Sequence, residues 1–538
     1  MAAPKLALTV FVVGGLLASP ALLPVGAHAA PKSAASACPA PPQLTFDTPT
    51  YVDKTRAGGE PLVFTYPTGR LLYSAHAGTT HFFTPEAPNP GTVAFGENYT
   101  GQTYIWTSDD NGKTWTFRPR IIAPDGAPAS GFSDPEFAMD SAGDLYFSEI
   151  NLANIAVSSS REDRGETWNL ENFVGAVLTD RQWMEADRPG ELYFVANAFG
   201  GGTGIPPSPG TGAYITKSTD GGATFATNVP STKGGAGEGD IRVDKKTGTV
   251  YQARRSSGKL NMGAFRKARS GDLASMDVST VAEGVQMLAH WPAFDLDPSG
   301  NLYITWDENG KGDREAGIWM ATSTDAARTW SAPVKVSTGE NTAIWPWIGV
   351  GDDGRAGVMW LEADKKLPNH NAETAGTHGW RIRGAATTTA LGCAASKTPV
   401  FSVATATKDP VHTGTICQGG TTCQAALIDR RLGDYFSVEV DATGRMWAGY
   451  SDTRVPGSVS LPAFVRQQGG PSLLVPKKSG TTPTSTTGQP PPAVPASSTP
   501  GAGSGSLAST GFGAQLPAAA ALMLLGALLM VRRRRTPS

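Results

Sequence analysis

A short motif, Ser-x-Asp-x-Gly-x-Thr-Trp, recurs along this chain, and no other feature restricts its fold as strongly. It stands as Ser108, Asp110, Gly112, Thr114 and Trp115, and again as Ser218, Asp220, Gly222, Thr224 and Phe225. A third full copy is Ser323, Asp325, Ala327, Thr329 and Trp330. In Asp163, Gly165, Thr167 and Trp168 the serine is displaced by one. The aspartates are 53, 57 and 105 residues apart. The last spacing is close to twice the others, so a decayed copy is expected near Ser270–Asp272. Physically the motif is a hairpin turn: the carboxylate accepts backbone N–H groups, the glycine takes a dihedral other residues avoid, and the aromatic packs between sheets. Asp110, Asp163, Asp220 and Asp325 are therefore structural residues and poor catalytic candidates.

Between the boxes runs a second repeat, a glycine turn leading into a Leu/Val-Tyr-like strand. Its turn glycines are Gly69, Gly143, Gly190, Gly248, Gly300, Gly354 and Gly444. Two inner strands from this hairpin and two outer strands from the boxed hairpin make a propeller blade. The expected fold is all-β: a β-propeller of four-stranded blades, seven favoured and six the alternative. The last unit is one strand short after Pro462–Gln467, and Leu44–Val52 alternates like a strand with no unit of its own. It is expected to complete the last blade and close the ring. With 64 Gly and 41 Pro in 538 residues, composition agrees with many tight turns. A net charge of −2 without a basic block argues against nucleic-acid binding, and 40% apolar residues are too few for a polytopic membrane protein.

The ends read as addresses. Residues 1–29 form a signal peptide: Lys5, an apolar run, then Ala27-His28-Ala29 as a small-x-small cleavage site. A short extension, 30–42, precedes the propeller at 43–470. Residues 471–506 are a Thr/Pro/Ser/Gly-rich spacer. In 507–538, Leu507-Ala508-Ser509-Thr510-Gly511 precedes an apolar stretch to Val531 and four arginines, Arg532–Arg535. The stretch is about long enough to span a bilayer, with the arginines cytoplasmic. This order resembles a sortase cell-wall sorting signal of the LAxTG kind found in actinobacteria. The resemblance implies cleavage between Thr510 and Gly511, with sortase and peptidoglycan as partners, and a membrane span only before sorting. The four cysteines suit an exported protein. Of three formal pairings the favoured one joins Cys417 to Cys423 and Cys38 to Cys393. No CxxC spacing occurs, and no metal site is assigned to them.

The boxed repeat is identified as the Asp-box, or BNR repeat, and the chain resembles the sialidase superfamily of β-propellers. Strand order places the tight turns on one face and the long loops, Ala75–Thr100, Ala196–Thr211, Glu362–Gly379 and Lys408–Gly433, on the other. Long loops on one rim of a rigid scaffold mark a binding face. The residues nine and ten before each turn glycine ring the channel there. They include Glu60, Asp134, Asp180, Arg181, Glu238, His290, Trp291, Trp345, Asp434 and Tyr435. Acids, an arginine and an aromatic wall suit a glycan or another small polar ligand.

Of these, Arg181, Asp180, His290, Trp291 and Trp345 are the candidate substrate-binding residues. The resemblance implies a tyrosine nucleophile nine residues before a late turn glycine, the place Tyr435 holds before Gly444. Asp134, Glu238 and Asp434 are each candidate catalytic partners, and no motif selects among them. The family's Arg-Ile-Pro motif is not kept: Gly59-Glu60-Pro61 stands in its place, which removes one anchor for a substrate carboxylate. That departure argues against exo-sialidase activity. It leaves open another glycoside hydrolase, or a non-catalytic propeller that binds glycan or protein as an adhesin or scaffold. No cofactor is expected; calcium in the acidic funnel is compatible with the carboxylates but carried by no motif. His76 and His81 are placed on the first long loop.

Overall fold

A computed structural model describes residues 37–76, 103–118, 133–151, 154–174, 179–198, 212–231, 233, 239–256, 258–288, 291–368, 378–418, 429–454 and 460–476. The signal peptide, most of the spacer, the sorting signal with Thr510 and Gly511, Cys423, His81, Glu238 and His290 lie outside them.

Seven antiparallel sheets follow one another in chain order, each built around four strands. Their innermost strands are Gly59–Thr65, Ser133–Met139, Thr179–Ala186, Ile241–Asp244, Ala293–Leu296, Ala343–Val350 and Ser437–Val440. The fold is thus a seven-bladed β-propeller. The second strands, such as Leu71–His76, Leu302–Glu308 and Ala356–Ala363, are buried along their whole length, as expected of strands packed on both faces.

The seventh blade takes its outer strands from the beginning of the chain. Thr45–Phe46 and Thr50–Tyr51 both pair with Leu461–Gly469, the last strand. Leu44 is fully buried beside them. Cys38 is disulfide-bonded to Cys393, 355 residues away, so the closing segment is also held to the sixth blade. Cys417 is disulfide-bonded as well.

The boxes fold as the motif requires. In the first, Ser108 Oγ donates to Asp110 Oδ1 at 2.8 Å, Gly112 N donates to Ser108 Oγ at 2.9 Å, and Thr114 N donates to Asp110 Oδ1 at 2.9 Å. The copies at Asp220 and Asp325 repeat these bonds. Trp115 of the first blade packs on Trp447 and Phe464 of the seventh, so the box aromatic joins neighbouring sheets. Where a decayed copy was expected, a single 3-10 turn, Ala268–Ser270, links the outer strands of the fourth blade. One placement changes: His76 is the last residue of the strand Leu71–His76, opposite Gly59, rather than part of a loop.

Candidate functional site

In four blades the innermost strand opens on a β-bulge. The ladder slips between Gly59 and Leu62, Ser133 and Glu136, Asp180 and Trp183, and Ile344 and Trp347. One residue in each bulge, Glu60, Asp134, Arg181 or Trp345, takes a left-handed conformation with φ of 45°, 48°, 56° and 55°. All four stand nine residues before a turn glycine. Such a conformation costs a side-chain-bearing residue roughly 1–2 kcal/mol. Proline follows in three of them, where its missing N–H is no loss to the ladder. Four residues carrying three different chemistries, carboxyl, guanidinium and indole, share one strained conformation at one register. The strain therefore serves their placement at the channel, not the turn chemistry of any one residue.

These positions converge. Glu60, His76 and Asp134 each offer a ligand atom, and the three atoms lie within 4.8 Å of one another. The His76 imidazole N–H donates to Glu60 Oε2 at 2.7 Å. Burial pushes His76 down to about 4, so the imidazole is neutral at physiological pH. Burial, reinforced by the neighbouring Glu60 charge, pushes Asp134 up to about 8. Arg430 clamps Asp434 with both guanidinium nitrogens, Nη2 to Oδ2 at 2.8 Å, and its Nη2 lies 3.6 Å from Glu60 Oε1. Gly433 presses on Glu60 so closely that a Cβ there would lie 2.2 Å from Glu60 Cγ. Three ligand atoms of this kind, one imidazole and two carboxylates, can also hold a divalent cation.

Beneath this cluster lies an aromatic floor. Tyr435 contacts Trp183, Trp291 and Trp347 at ring-centroid distances of 5.8, 5.8 and 5.9 Å, the last stacked. Four blades supply these rings, so they fill the axis. Arg181 lies over Trp291, 5.2 Å from its centroid. Burial, helped by the charges of Asp134 and Glu60, raises the Tyr435 phenol well above its usual range. That phenol has no hydrogen-bond partner among the described residues. The indole N–H groups of Trp183 and Trp345 are buried and also lack an acceptor there.

Of the residues singled out from sequence, Asp134, Arg181, Trp291, Tyr435 and Asp434 thus lie in one continuous cluster. Trp345 holds the same bulge position in the sixth blade. Asp180 belongs to the third blade's inner strand, with its side chain outside the described set. Glu60 was visible as a ring position, but its partners His76 and Arg430 were not. His76 carries a signal after all: it ends the second strand, seven residues after Gly69, directly across from the bulge.

Beyond the aromatic floor, toward the tight-turn face, is a cavity of about 220 Å³ lined by Glu136, Glu185, Arg242, Asp295 and Glu439 among apolar neighbours. Burial raises Glu439 to about 8 and Asp240, beside Arg242, to about 7.

No family model matches the chain, and no curated protein matches it. Solved structures share its outline at low identity. A Dyadobacter fermentans protein of unknown function is 15% identical, covering 79% of this chain and 99% of its own, with a TM-score of 0.40. The NanB sialidase of Streptococcus pneumoniae is 14% identical over 78% of this chain and 70% of its own, TM-score 0.38. An α-L-arabinanase of Penicillium chrysogenum is 14% identical over 79% and 98%, TM-score 0.36. Likeness at this level does not bear on activity.

Proposed function

We propose that this chain is an exported, wall-anchored propeller that recognises a glycan over the loop-bearing end of its channel. One observation carries the reading. Carboxyl groups (Glu60, Asp134), a guanidinium donor (Arg181) and an aromatic ring (Trp345) are brought to a single register by strained bulges. Sugars present hydroxyl groups around apolar ring faces, and that mixture of groups is what they need. The export and sorting segments support a surface location, with sortase and peptidoglycan as processing partners.

A hydrolytic reading rests on Asp134. A carboxyl group that keeps its proton near neutrality can donate it to a departing glycosidic oxygen as the C–O bond breaks, and water then completes the hydrolysis. Glu60 is too close to Asp134 to act as the opposing nucleophile, since retaining pairs are separated by roughly 5–5.5 Å and inverting pairs by more. Tyr435 and Asp434 remain the candidates for the opposing group.

A glycan array probed with the propeller tests recognition: binding that Trp345→Ala weakens tenfold or more supports it, and binding indifferent to that change refutes it. A panel of glycosides tests hydrolysis. Turnover lost in Asp134→Asn, with glycan binding retained, supports the assignment. If glycans bind but none is cleaved, the propeller is a binding module. If only proteins bind, the glycan reading fails.

A further inference from the structure

The tight-turn end of the channel carries a second, separate constellation. Glu185, Asp295 and Glu439 stand five residues before Gly190, Gly300 and Gly444, and Glu136 stands seven before Gly143. Strand alternation puts positions seven and five before the turn on one side, so these acids share a face of the inner strands, deeper than the bulge residues nine before the turn. The aromatic floor separates them; Trp347 belongs to both the floor and the lower cavity.

The cations around this cavity are already committed. Arg242 Nη2 lies 2.6 Å from Asp240 Oδ2, and its Nε lies 3.6 Å from Asp295 Oδ1. Lys245 Nζ lies 2.9 Å from Glu185 Oε1. Among the described residues neither Glu136 nor Glu439 has an ion-pair partner. Glu136 is only 4% exposed, and its Oε2 is buried without a hydrogen-bond partner. Glu136 lines the cavity, and a buried carboxyl oxygen without a hydrogen-bond partner is an unmet demand for a cation or a bound water.

We propose that the 220 Å³ cavity holds a hard divalent cation, calcium or magnesium, that keeps much of its water shell and is anchored by Glu136 and Glu439. The side chains that remain to bind it offer only oxygen, which selects hard cations. Among the described residues, the cluster at Glu60 is the one place where three such ligand atoms approach within 4.8 Å, so the lower acids do not cage a bare ion. The cavity volume, set against about 30 Å³ per water in the liquid, leaves space for an ion with roughly half a dozen waters. Such an ion would tie the second blade to the seventh, the two neighbours of the first blade. This inference is independent of the glycan reading.

The test uses the full chain, stripped with a chelator and titrated with calcium chloride or magnesium chloride. Calorimetry is expected to give one ion per chain, and saturation to raise Tm by on the order of 5 °C. Glu136→Gln and Glu439→Gln should each weaken binding at least tenfold. Glu136→Gln should leave the metal-free Tm unchanged or higher, because burial already disfavours the charged form of Glu136 and its Oε2 has no hydrogen bond to lose. Glu60→Gln should bind the ion as the wild type does. No binding of either metal overturns the proposal. So does binding that survives Glu136→Gln but is lost in Glu60→Gln, which would put the ion in the upper cluster.

Discussion

Ring closure depends on a segment of chain tied down at two points, and cutting one of them has a calculable cost. The Cys38–Cys393 disulfide closes a loop of 355 residues. In the chain-entropy account, a cross-link over a loop of that length lowers the entropy of the unfolded chain by about 20 cal/mol/K, or about 6 kcal/mol at 25 °C. Cys38→Ser with Cys393→Ser forfeits that term. For the roughly 430 residues between Leu44 and Leu473, an unfolding entropy of about 2 cal/mol/K per residue converts it to a fall in Tm of about 6–7 °C. The native contacts of Leu44 and of the paired strands Thr45–Phe46 and Thr50–Tyr51 are untouched, so the folded double variant should keep its far-ultraviolet circular dichroism. Differential scanning calorimetry of the two oxidised proteins at equal scan rate reads the difference. A fall below about 2 °C would refute the reasoning: the closing segment would then need no staple, or the unfolded ring would already be held together by other means. A lost or broadened transition would mean that the disulfide is a condition of closure rather than an increment to it.

Three further outcomes follow from the same geometry. At the boxes, hydrogen bonds from Thr329, against a weaker effect of burial, hold Asp325 at about 2. A carboxylate lowered on folding stabilises fully above its unfolded value near 4 and loses that contribution as pH falls toward 2. Asp325→Ala should therefore cost about 1–3 kcal/mol at pH 7 and much less at pH 2, read by chemical denaturation at both. In the aromatic floor, Trp347→Ala should cost about 3–5 kcal/mol, while Tyr435→Phe should stay within about 1 kcal/mol, because the phenol it removes has no described partner; a large loss in Tyr435→Phe would show that the hydroxyl is structurally engaged. Gly433→Ala should displace Glu60, since its Cβ would sit 2.2 Å from Glu60 Cγ and its φ is +73°. Glycan binding should fall in that variant while the propeller stays folded by circular dichroism.

Much of the architecture was legible because it repeats. Seven turn glycines and four boxes fix blade number and strand order, and the surplus strand Leu44–Val52 closes the ring as the count requires. The channel was legible only in part. Counting back nine from each glycine finds Glu60, Asp134, Arg181, Trp345 and Tyr435, because that offset follows from strand length. It does not show that four of them sit in left-handed bulges, since nothing local in Glu60-Pro61 or Asp180-Arg181 demands that conformation. His76 and Arg430 escaped because their roles come from register across a sheet and from the contact of the seventh blade with the first. The acids five residues before Gly190, Gly300 and Gly444 were present in the same count.

The central claim is that the bulge residues Glu60, Asp134, Arg181 and Trp345 form a glycan site. Its most direct measurement is the calorimetric affinity of one array-selected glycan for the wild type, Trp345→Ala, Arg181→Ala and Glu136→Gln. The account predicts a loss of tenfold or more in the first two variants and an unchanged affinity in Glu136→Gln, which alters only the far side of the aromatic floor. Equal affinity across all four proteins would contradict it.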